Sequence, residues 1–198
     1  MRHHKYNPDY QFVVDPMEFD KYTDRNILQF CLGATMYMPG TKDFAQAIMT
    51  RKYPGLTSMV MCFEDACLLS DVPKAEENVH TLLEYLYEQI ESGNLSREDI
   101  PLIFVRVRSV EQFRHFAEQL NGKQVRILAG VNFPKFDTSN GEAYYSYLRE
   151  LNEKYGDILY GMPIIESSSV AMKETRMEEL LGSRIVAMSF CEPRSCLN

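Results

Sequence analysis

Apolar residues fall into short continuous runs, separated by longer segments in which they recur every three or four positions. Two of these runs read SMVMCF and LIFVRV. Continuous rather than alternating apolarity is typical of parallel strands that are covered on both faces. The runs predict six strands, over residues 34–38, 58–63, 102–107, 127–133, 158–165 and 184–190.

Segments between these runs have the apolar spacing of amphipathic helices. The predicted helices are residues 74–92, 110–120, 142–155 and 169–181. Gly93, Gly156 and Gly182 follow three of them, and glycine is the common residue just past a helix end. Strands that alternate with helices predict an α/β protein with a parallel sheet. On this pattern both an open doubly wound sheet and a (β/α)₈ barrel remain possible.

The N-terminal part of the chain differs from the rest, because it is rich in Tyr, Asp, Pro and Met and has no clear periodicity. We predict an arm over residues 1–30 that packs on a domain formed by residues 31–198. Apolar residues make up 45% of the chain and charged residues 25%, which are ordinary values for a globular protein. One α/β domain with an arm is therefore expected.

Charge and cysteine content limit the partners and the compartment. The net charge of −7 argues against nucleic acid or an anionic membrane as the main partner. No apolar run approaches the roughly 20 residues that cross a bilayer, and the first residues lack the apolar core of a signal peptide. An odd count of five cysteines without CxxC pairs favours reduced thiols over disulfides or zinc. We predict a cytoplasmic protein that acts on a small molecule.

Polar or special residues follow nearly every predicted strand, where sites form in parallel α/β sheets. They are Pro39, Gly40, Glu64, Asp65, Arg106, Arg108, Lys135, Asp137, Glu166 and Glu192. Clustered carboxylates can hold a hard divalent cation, and the planar fork of arginine suits a substrate carboxylate. Together, a cation and an arginine can stabilise an enolate that forms when a carbon–carbon bond breaks. Any single charged residue at a strand end is more often a solvated or salt-bridged loop residue, and a structural role is favoured for Arg108; the coincidence across most strand ends is what indicates a site.

Five segments, in chain order over about residues 34–190, resemble the citrate lyase beta subunit group of the HpcH/HpaI aldolase superfamily. They read ATMYMPGTKDFAQAI, SMVMCFEDACLLSDVPKAEENV, PLIFVRVRS, ILAGVNFPKFD and LYGMPIIESSSVAM. They are similar to that family's FVPG turn, its DLEDAV segment, its VRVN strand, its GIVLPKVE strand and its LIET strand. These segments diverge from the family's motifs, which suggests that the chain resembles an outlying branch of C–C bond lyase-like proteins.

The resemblance implies a (β/α)₈ TIM-type barrel and a Mg²⁺-dependent retro-aldol or retro-Claisen cleavage of a hydroxy acid or its CoA thioester, with Mn²⁺ as a substitute ion. By position, Glu166 would be a metal ligand and Arg106 would bind the substrate carboxylate. Glu64 and Asp65 would support the metal-bound waters or orient Arg106. Substrate-binding positions would be Pro39, Gly40 and Lys135.

The chain departs from the family pattern toward its end. The family's second metal carboxylate, an Asp, is expected near Pro193, where AMSFCEPRSCLN contains no Asp. A (β/α)₈ barrel typically needs about 250 residues, so we expect a shortened, incomplete barrel of about six βα units. A non-catalytic barrel-derived protein that binds a partner or an acidic metabolite is the alternative function, and a complete open flavodoxin-like sheet is the alternative fold.

An incomplete barrel leaves two sheet edges, and exposed edges pair with other chains. We therefore predict either a homo-oligomer or coverage of the edges by the N-terminal arm.

Overall fold

The sheet is parallel throughout in the computed structural model, which describes residues 9–14 and 17–190. Its strands are β1 (Met36–Pro39), β2 (Ser58–Cys62), β3 (Leu102–Arg106), β4 (Leu128–Phe133) and β5 (Tyr160–Pro163). Each strand pairs with the next one along the chain, in the order β1-β2-β3-β4-β5. A doubly wound sheet reverses its strand order at a switch point. An order that follows the chain without reversal is that of a barrel wall, left unclosed over the described residues.

Helices between consecutive strands pack on one face of this sheet, whereas the short helix before β1 contributes Leu28 to the opposite face. The described residues form eight α-helices. They are α1 (Arg25–Leu28), α2 (Ala45–Met49), α3 (Val72–Glu91), α4 (Val110–Glu118), α5 (Gly122–Ile127), α6 (Gly141–Tyr155), α7 (Ser168–Ala171) and α8 (Arg176–Phe190). The three predicted helices that coincide with α3, α4 and α6 are confirmed. Gly156 ends α6 in the left-handed conformation, as the sequence predicts. None of the helices in the described ranges is both long and apolar enough to cross a membrane.

The predicted sixth strand, residues 184–190, is wrong, because this segment forms the second half of α8. Val186 and Phe190 pack against the main core, and the Phe190 ring stacks on Tyr145 of α6 at 6.1 Å. Packing against α6 thus overrides the strand preference of the sequence RIVAMSF. The described residues therefore contain five strands rather than six.

The predicted helix over 169–181 is also only partly correct, since it is divided between α7 and α8. Gly182 does not end a helix but lies inside α8. A Cβ atom at Gly182 would come within 2.5 Å of Thr138 Cγ2. Close approach of α8 to the loop after β4 therefore explains this glycine better than a helix end does.

Two apolar clusters cover the two faces of the sheet. On the helix face, side chains such as Met61, Val105 and Val131 pack against α3, α4 and α6. On the opposite face, which we call the arm face, Phe104 and Tyr160 pack against residues from the N-terminal arm. Covering both faces explains why the strands read as continuous apolar runs.

The described part of the N-terminal arm packs on the arm face. Phe19 and Leu28 are buried there. Lys21 is also buried, and its Nζ donates hydrogen bonds to the carbonyl oxygens of Val125 at 2.6 Å and Leu128 at 3.0 Å. The Tyr160 hydroxyl donates in turn to the Lys21 carbonyl at 3.0 Å. The arm therefore covers a sheet face; the division at residue 30 stays a prediction.

The three cysteines in the described ranges are free thiols. Cys31, Cys62 and Cys67 are buried without a disulfide, in agreement with the predicted reduced state. Cys191 and Cys196 lie outside the described residues.

Candidate active site

A buried arginine at the carboxyl end of β3 holds three carboxylates together. Nη2 of Arg106 lies 2.7 Å from Glu64 Oε2, 3.2 Å from Asp65 Oδ2 and 2.6 Å from Glu166 Oε1. These carboxylates come from the loops that follow β2 and β5. The structure thus brings together the residues that were expected to converge because parallel strands end at one edge.

Lys135, in the loop after β4, completes this group, which we call the Arg106 cluster. Its Nζ lies 2.6 Å from Glu64 Oε1, and its backbone N–H donates to Glu166 Oε1 at 3.2 Å. Burial alone would raise the pKa of Glu64. The hydrogen bonds from Lys135 and from the Asp65 amide, together with the charge of Arg106, outweigh burial and lower that pKa. Glu64 is therefore a carboxylate at neutral pH.

The backbone of Lys135 is in the left-handed region, with φ of 49°. A non-glycine residue in that region costs of order 1 kcal/mol or more, and such residues are concentrated at functional sites. This conformation accompanies the two contacts through which Lys135 bridges Glu64 and Glu166. It is a second reason to regard the Arg106 cluster as the functional site.

Exposure within the Arg106 cluster is uneven. The side chains of Arg106 and Glu64 are nearly inaccessible, whereas that of Asp65 is 70% exposed and that of Glu166 is 34% exposed. All three carboxylates contact Nη2 of the arginine. The Nε atom of Arg106 is buried and has no hydrogen-bond partner among residues 9–14 and 17–190. Buried donors are normally paired, so Nε is positioned to bind an acceptor carried by a ligand.

The remaining residues that were expected to contact substrate lie at the same end of the sheet but outside the Arg106 cluster. Pro39 ends β1. Gly40 follows it, and a Cβ atom there would come within 2.7 Å of the Phe63 ring. The carbonyl of Gly40 accepts a hydrogen bond from Asn78 at 2.7 Å. Packing against Phe63 therefore explains why residue 40 is a glycine. A substrate role for Pro39 and Gly40 stays a prediction.

Arg108 has the structural role that the sequence favours. Its Nη1 donates to the carbonyl oxygens of Phe63, Glu64 and Cys67 at 2.9 to 3.1 Å. These bonds hold the loop that carries the two neighbouring acids, Glu64 and Asp65.

Two polar residues next to the Arg106 cluster were missed by the sequence reasoning. Asn132 is the register partner of Arg106 on β4 and is fully buried. Its Nδ2 donates to the hydroxyl oxygen of Tyr37, on β1, at 2.9 Å. The signal that could have found Asn132 is a single amide inside the apolar strand LAGVNF, because buried polar residues are unusual.

The contact between Asn132 and Tyr37 also shows that the sheet is curved. Three strand steps separate β1 from β4, which corresponds to about 14 Å in a flat sheet. Side chains stand roughly perpendicular to a sheet, so those on a flat one would not meet across two intervening strands. The hydrogen bond requires the sheet to curve around the arm face, as the wall of a barrel does.

The metal site expected at Glu166 stays a prediction. Within the ranges that the structure describes, no group of three or more His, Cys, Asp or Glu side chains is arranged to hold a metal ion. The carboxylates of the Arg106 cluster point instead at the guanidinium group. Glu192 and Pro193, near which the second metal carboxylate was expected, lie outside the described residues.

A groove of about 620 Å³ adjoins the Arg106 cluster. Phe136 and Ile165, the chain neighbours of Lys135 and Glu166, line one side of it, and Leu180, Ala187 and Met188 of α8 line the other. A volume of this size suits a small-molecule ligand. The lining is mainly apolar, with Arg25 and Arg184 as its charged residues.

Comparison with known proteins gives one finding about the family. A family model described as C-C bond lyase of the TIM-barrel fold matches residues 26–190. The match covers every strand that the structure describes and all five residues of the Arg106 cluster, and it confirms the predicted fold class. Among curated proteins, none is significantly similar to the chain.

Proposed function

The chain belongs to the C–C bond lyase family of the TIM-barrel fold, and from this premise we propose that the Arg106 cluster cleaves a carbon–carbon bond in a small hydroxy acid or its CoA thioester. This is the retro-aldol or retro-Claisen chemistry of citrate lyase beta-like enzymes. The observation that carries the proposal is the buried Arg106 guanidinium, which is surrounded by carboxylates yet retains an unpaired Nε.

The proposed roles follow from these contacts. In the cleavage, a hydroxyl proton leaves, its C–O bond becomes a carbonyl, and the electrons of the breaking C–C bond move into an enolate. Arg106 would bind the carboxylate or thioester oxygen that carries this enolate charge. Preorganised donors of this kind typically contribute 10²- to 10³-fold in rate, about 3 to 4 kcal/mol. Glu64 and Asp65 would hold the guanidinium in place, and Lys135 would offset the buried charge of Glu64.

A divalent cation is part of the proposal. Three carboxylates face two cationic side chains in the Arg106 cluster, so an anionic substrate would bring further negative charge to an already acidic site. Mg²⁺, or Mn²⁺ in its place, would compensate this charge and add electrostatic stabilisation of the enolate. Glu166 would supply a protein ligand, and oxygens of the substrate and water would supply the others.

The activity is tested by incubating the protein with 3-hydroxy acids and hydroxyacyl-CoA thioesters and measuring released acetyl-CoA, pyruvate or glyoxylate, with Mg²⁺ and with EDTA. We expect turnover that EDTA suppresses and that Arg106→Gln removes. Arg126→Gln, on the exposed surface of α5, is the matched control. Binding of acidic metabolites without any turnover would instead support a non-catalytic binding protein.

The cation is tested separately by thermal denaturation. Mg²⁺ should raise the midpoint of the wild-type protein more than that of Glu166→Gln. Equal, negligible stabilisation of both proteins would remove the metal from the proposal while leaving the lyase activity to the turnover assay.

We also propose a homo-oligomer, because β1 and β5 are edge strands in the described sheet. Large apolar side chains of α8 are exposed beside β5, namely Met177, Leu181, Ile185 and Met188. Contiguous exposed apolar surface commonly marks an interface. Size-exclusion chromatography at several protein concentrations tests this, and a monomer at every concentration would contradict it.

A further inference from the structure

Tyr37 reaches the Arg106 cluster from β1, the strand that contributes no charged residue to it. Its hydroxyl oxygen accepts a hydrogen bond from Asn132 Nδ2 at 2.9 Å, and Asn132 is the register neighbour of Arg106. About half of the Tyr37 side chain is exposed, whereas Asn132 is fully buried. The Tyr37 hydroxyl is thus held by the buried Asn132 amide, while the ring remains open to solvent at the end of the sheet where a substrate would bind.

The hydrogen bond leaves the phenolic proton available. Because Asn132 is the donor, the hydroxyl oxygen of Tyr37 is an acceptor in this contact, and no other hydrogen bond involves that hydroxyl in the described part of the chain. Partial burial raises the pKa of Tyr37, although the Asn132 hydrogen bond and the charge of Arg106 act in the opposite direction. The charged or titratable groups that act on it are Arg106, Glu166 and Cys62. Tyr37 therefore keeps its proton at neutral pH.

C–C bond cleavage requires an acid at this place. After the bond breaks, the enolate carbon must take up a proton before the product leaves. The carboxylates of the Arg106 cluster accept hydrogen bonds from Arg106 and have no proton to give. The hydrogen bond with Glu64 raises the pKa of Lys135, so this ammonium gives up its remaining protons less readily. The Tyr37 hydroxyl is the neutral donor beside the Arg106 cluster.

On the basis of the proposed function, we infer that Tyr37 is the catalytic acid that protonates the enolate carbon, and that Asn132 is the residue that positions it. The phenolic O–H bond breaks, its proton forms the new C–H bond of the product, and the enolate electron pair becomes that bond. Asp65, the most exposed carboxylate of the Arg106 cluster, accepts the proton of the substrate hydroxyl. Solvent then carries this proton back to the phenolate, so that charge and atoms balance.

Methyl-proton exchange tests the step without requiring the full substrate. By microscopic reversibility, the group that protonates the enolate also removes a methyl proton from the product. Wild-type protein with pyruvate and Mg²⁺ in D₂O should therefore exchange the methyl protons, as followed by NMR, and the rate should rise with pH. Tyr37→Phe should lower this rate by about 10²-fold, a typical contribution of a general acid. The affinity for oxalate, a planar analogue of the enolate, should stay unchanged.

Two further variants separate catalysis from folding. Tyr53→Phe is the control, because it removes a phenolic hydroxyl from a partly exposed tyrosine that stacks on Phe44. This variant should catalyse exchange of the pyruvate methyl protons at the wild-type rate. Asn132→Leu keeps Tyr37 but removes its positioning contact, so it should change the pH profile of exchange while oxalate still binds. Exchange or cleavage by Tyr37→Phe at the wild-type rate would overturn the inference and leave the lyase proposal standing.

A binding measurement tests the placement of Tyr37 if the wild-type protein neither cleaves substrate nor exchanges methyl protons. That result would reject the proposed lyase activity. The NMR signal of the Tyr37 ring carbon bonded to oxygen should still shift when oxalate is added to wild type, and not when it is added to Arg106→Gln. An unchanged signal in wild type would show that Tyr37 does not face the ligand, and it would overturn the placement of the acid as well.

Discussion

Two buried cations lie at opposite ends of the sheet and are bound in different ways. Lys21 lies at the end where β4 and β5 begin; its Nζ donates to two carbonyl oxygens and lies 3.3 Å from Asp157. Arg106 lies at the other end, with three carboxylates on a single nitrogen and an unpaired Nε. An ammonium group has three protons, so Lys21 is fully satisfied, whereas Arg106 is not.

The difference separates a structural contact from a reactive one. A cation whose donors are all paired can hold chain segments together but has no donor left for a ligand. A cation with an unpaired donor can still bind an acceptor, and the excess of carboxylates beside Arg106 favours a further cation. The Lys21 contact holds the arm against the sheet. The Arg106 cluster lies at the other end of the sheet, and the chain neighbours of Lys135 and Glu166 line the groove beside α8.

Removal of the reactive cation should have the largest effect. In Arg106→Met, Glu64 and Glu166 lose their shared partner, and breaking a buried ion pair of this kind costs about 3 to 5 kcal/mol. We expect cleavage activity to fall below detection, together with a lower free energy of unfolding in urea. Arg126→Met, made at an exposed arginine, should change neither quantity. Full activity of Arg106→Met would contradict the assignment of the site.

Removal of the structural cation should affect stability alone. Lys21→Met leaves the carbonyl oxygens of Val125 and Leu128 without their donor, and unsatisfied buried acceptors cost roughly 1 to 3 kcal/mol each. We expect a loss of about 3 kcal/mol in the free energy of unfolding, with unchanged kcat and KM under conditions where the variant is folded. A drop in kcat for the folded variant would show that the two ends are not independent.

Alkaline pH should distinguish the two cations next. Burial lowers the pKa of Lys21 to about 8, against the partly opposing charge of Asp157, whereas arginine does not titrate in this range. Between that value and the usual 10.5, the unfolded chain binds a proton that the folded chain does not, so stability rises with pH. From pH 7 to 9.5 the wild-type free energy of unfolding should gain about 2 kcal/mol relative to Lys21→Met. A pH-independent difference would disprove the buried charge.

Acidic pH should reveal the smallest effect, on the Arg106 cluster. The folded-state pKa of Glu64 is lowered, so its contribution to stability is present above the unfolded value and is lost as pH falls through the folded value. Lys135→Met removes one of the hydrogen bonds that lower this pKa. The carboxyl carbon of Glu64, followed by NMR, should therefore titrate at higher pH in the variant than in wild type. Titration at the same pH would mean that Lys135 does not pair with Glu64 in solution.

The sequence predicted the Arg106 cluster better than its surroundings. Glu64, Arg106 and Glu166 could be placed together because each follows an apolar run, and the ends of parallel strands meet at one edge. Asn132 could not be placed beside them, because the sequence does not show which face of the sheet an amide inside a strand occupies until the register is known. The curvature that brings Tyr37 to Asn132 is likewise a property of the whole sheet rather than of any segment.

Errors in the predicted fold are concentrated near the end of the described chain. Residues 102–107 and 127–133 were placed correctly within a residue or two, because strands buried on both faces read as continuous apolar runs. Residues 184–190 read the same way, yet they form a helix. An apolar run alone does not separate a buried strand from a buried helix segment, and here contact with α6 decides.

The hydrogen bond from Tyr160 to the Lys21 carbonyl limits the order in which parts of the chain can fold during synthesis. Its partners are 139 residues apart in sequence. At translation rates of about 5 to 20 residues per second, the arm leaves the ribosome roughly 7 to 28 s before the strand that receives it has been made. During synthesis, docking of the arm must therefore wait until β5 has been made. If docking is also late when the full-length chain refolds, substitutions in the arm should speed unfolding and leave the refolding rate almost unaltered.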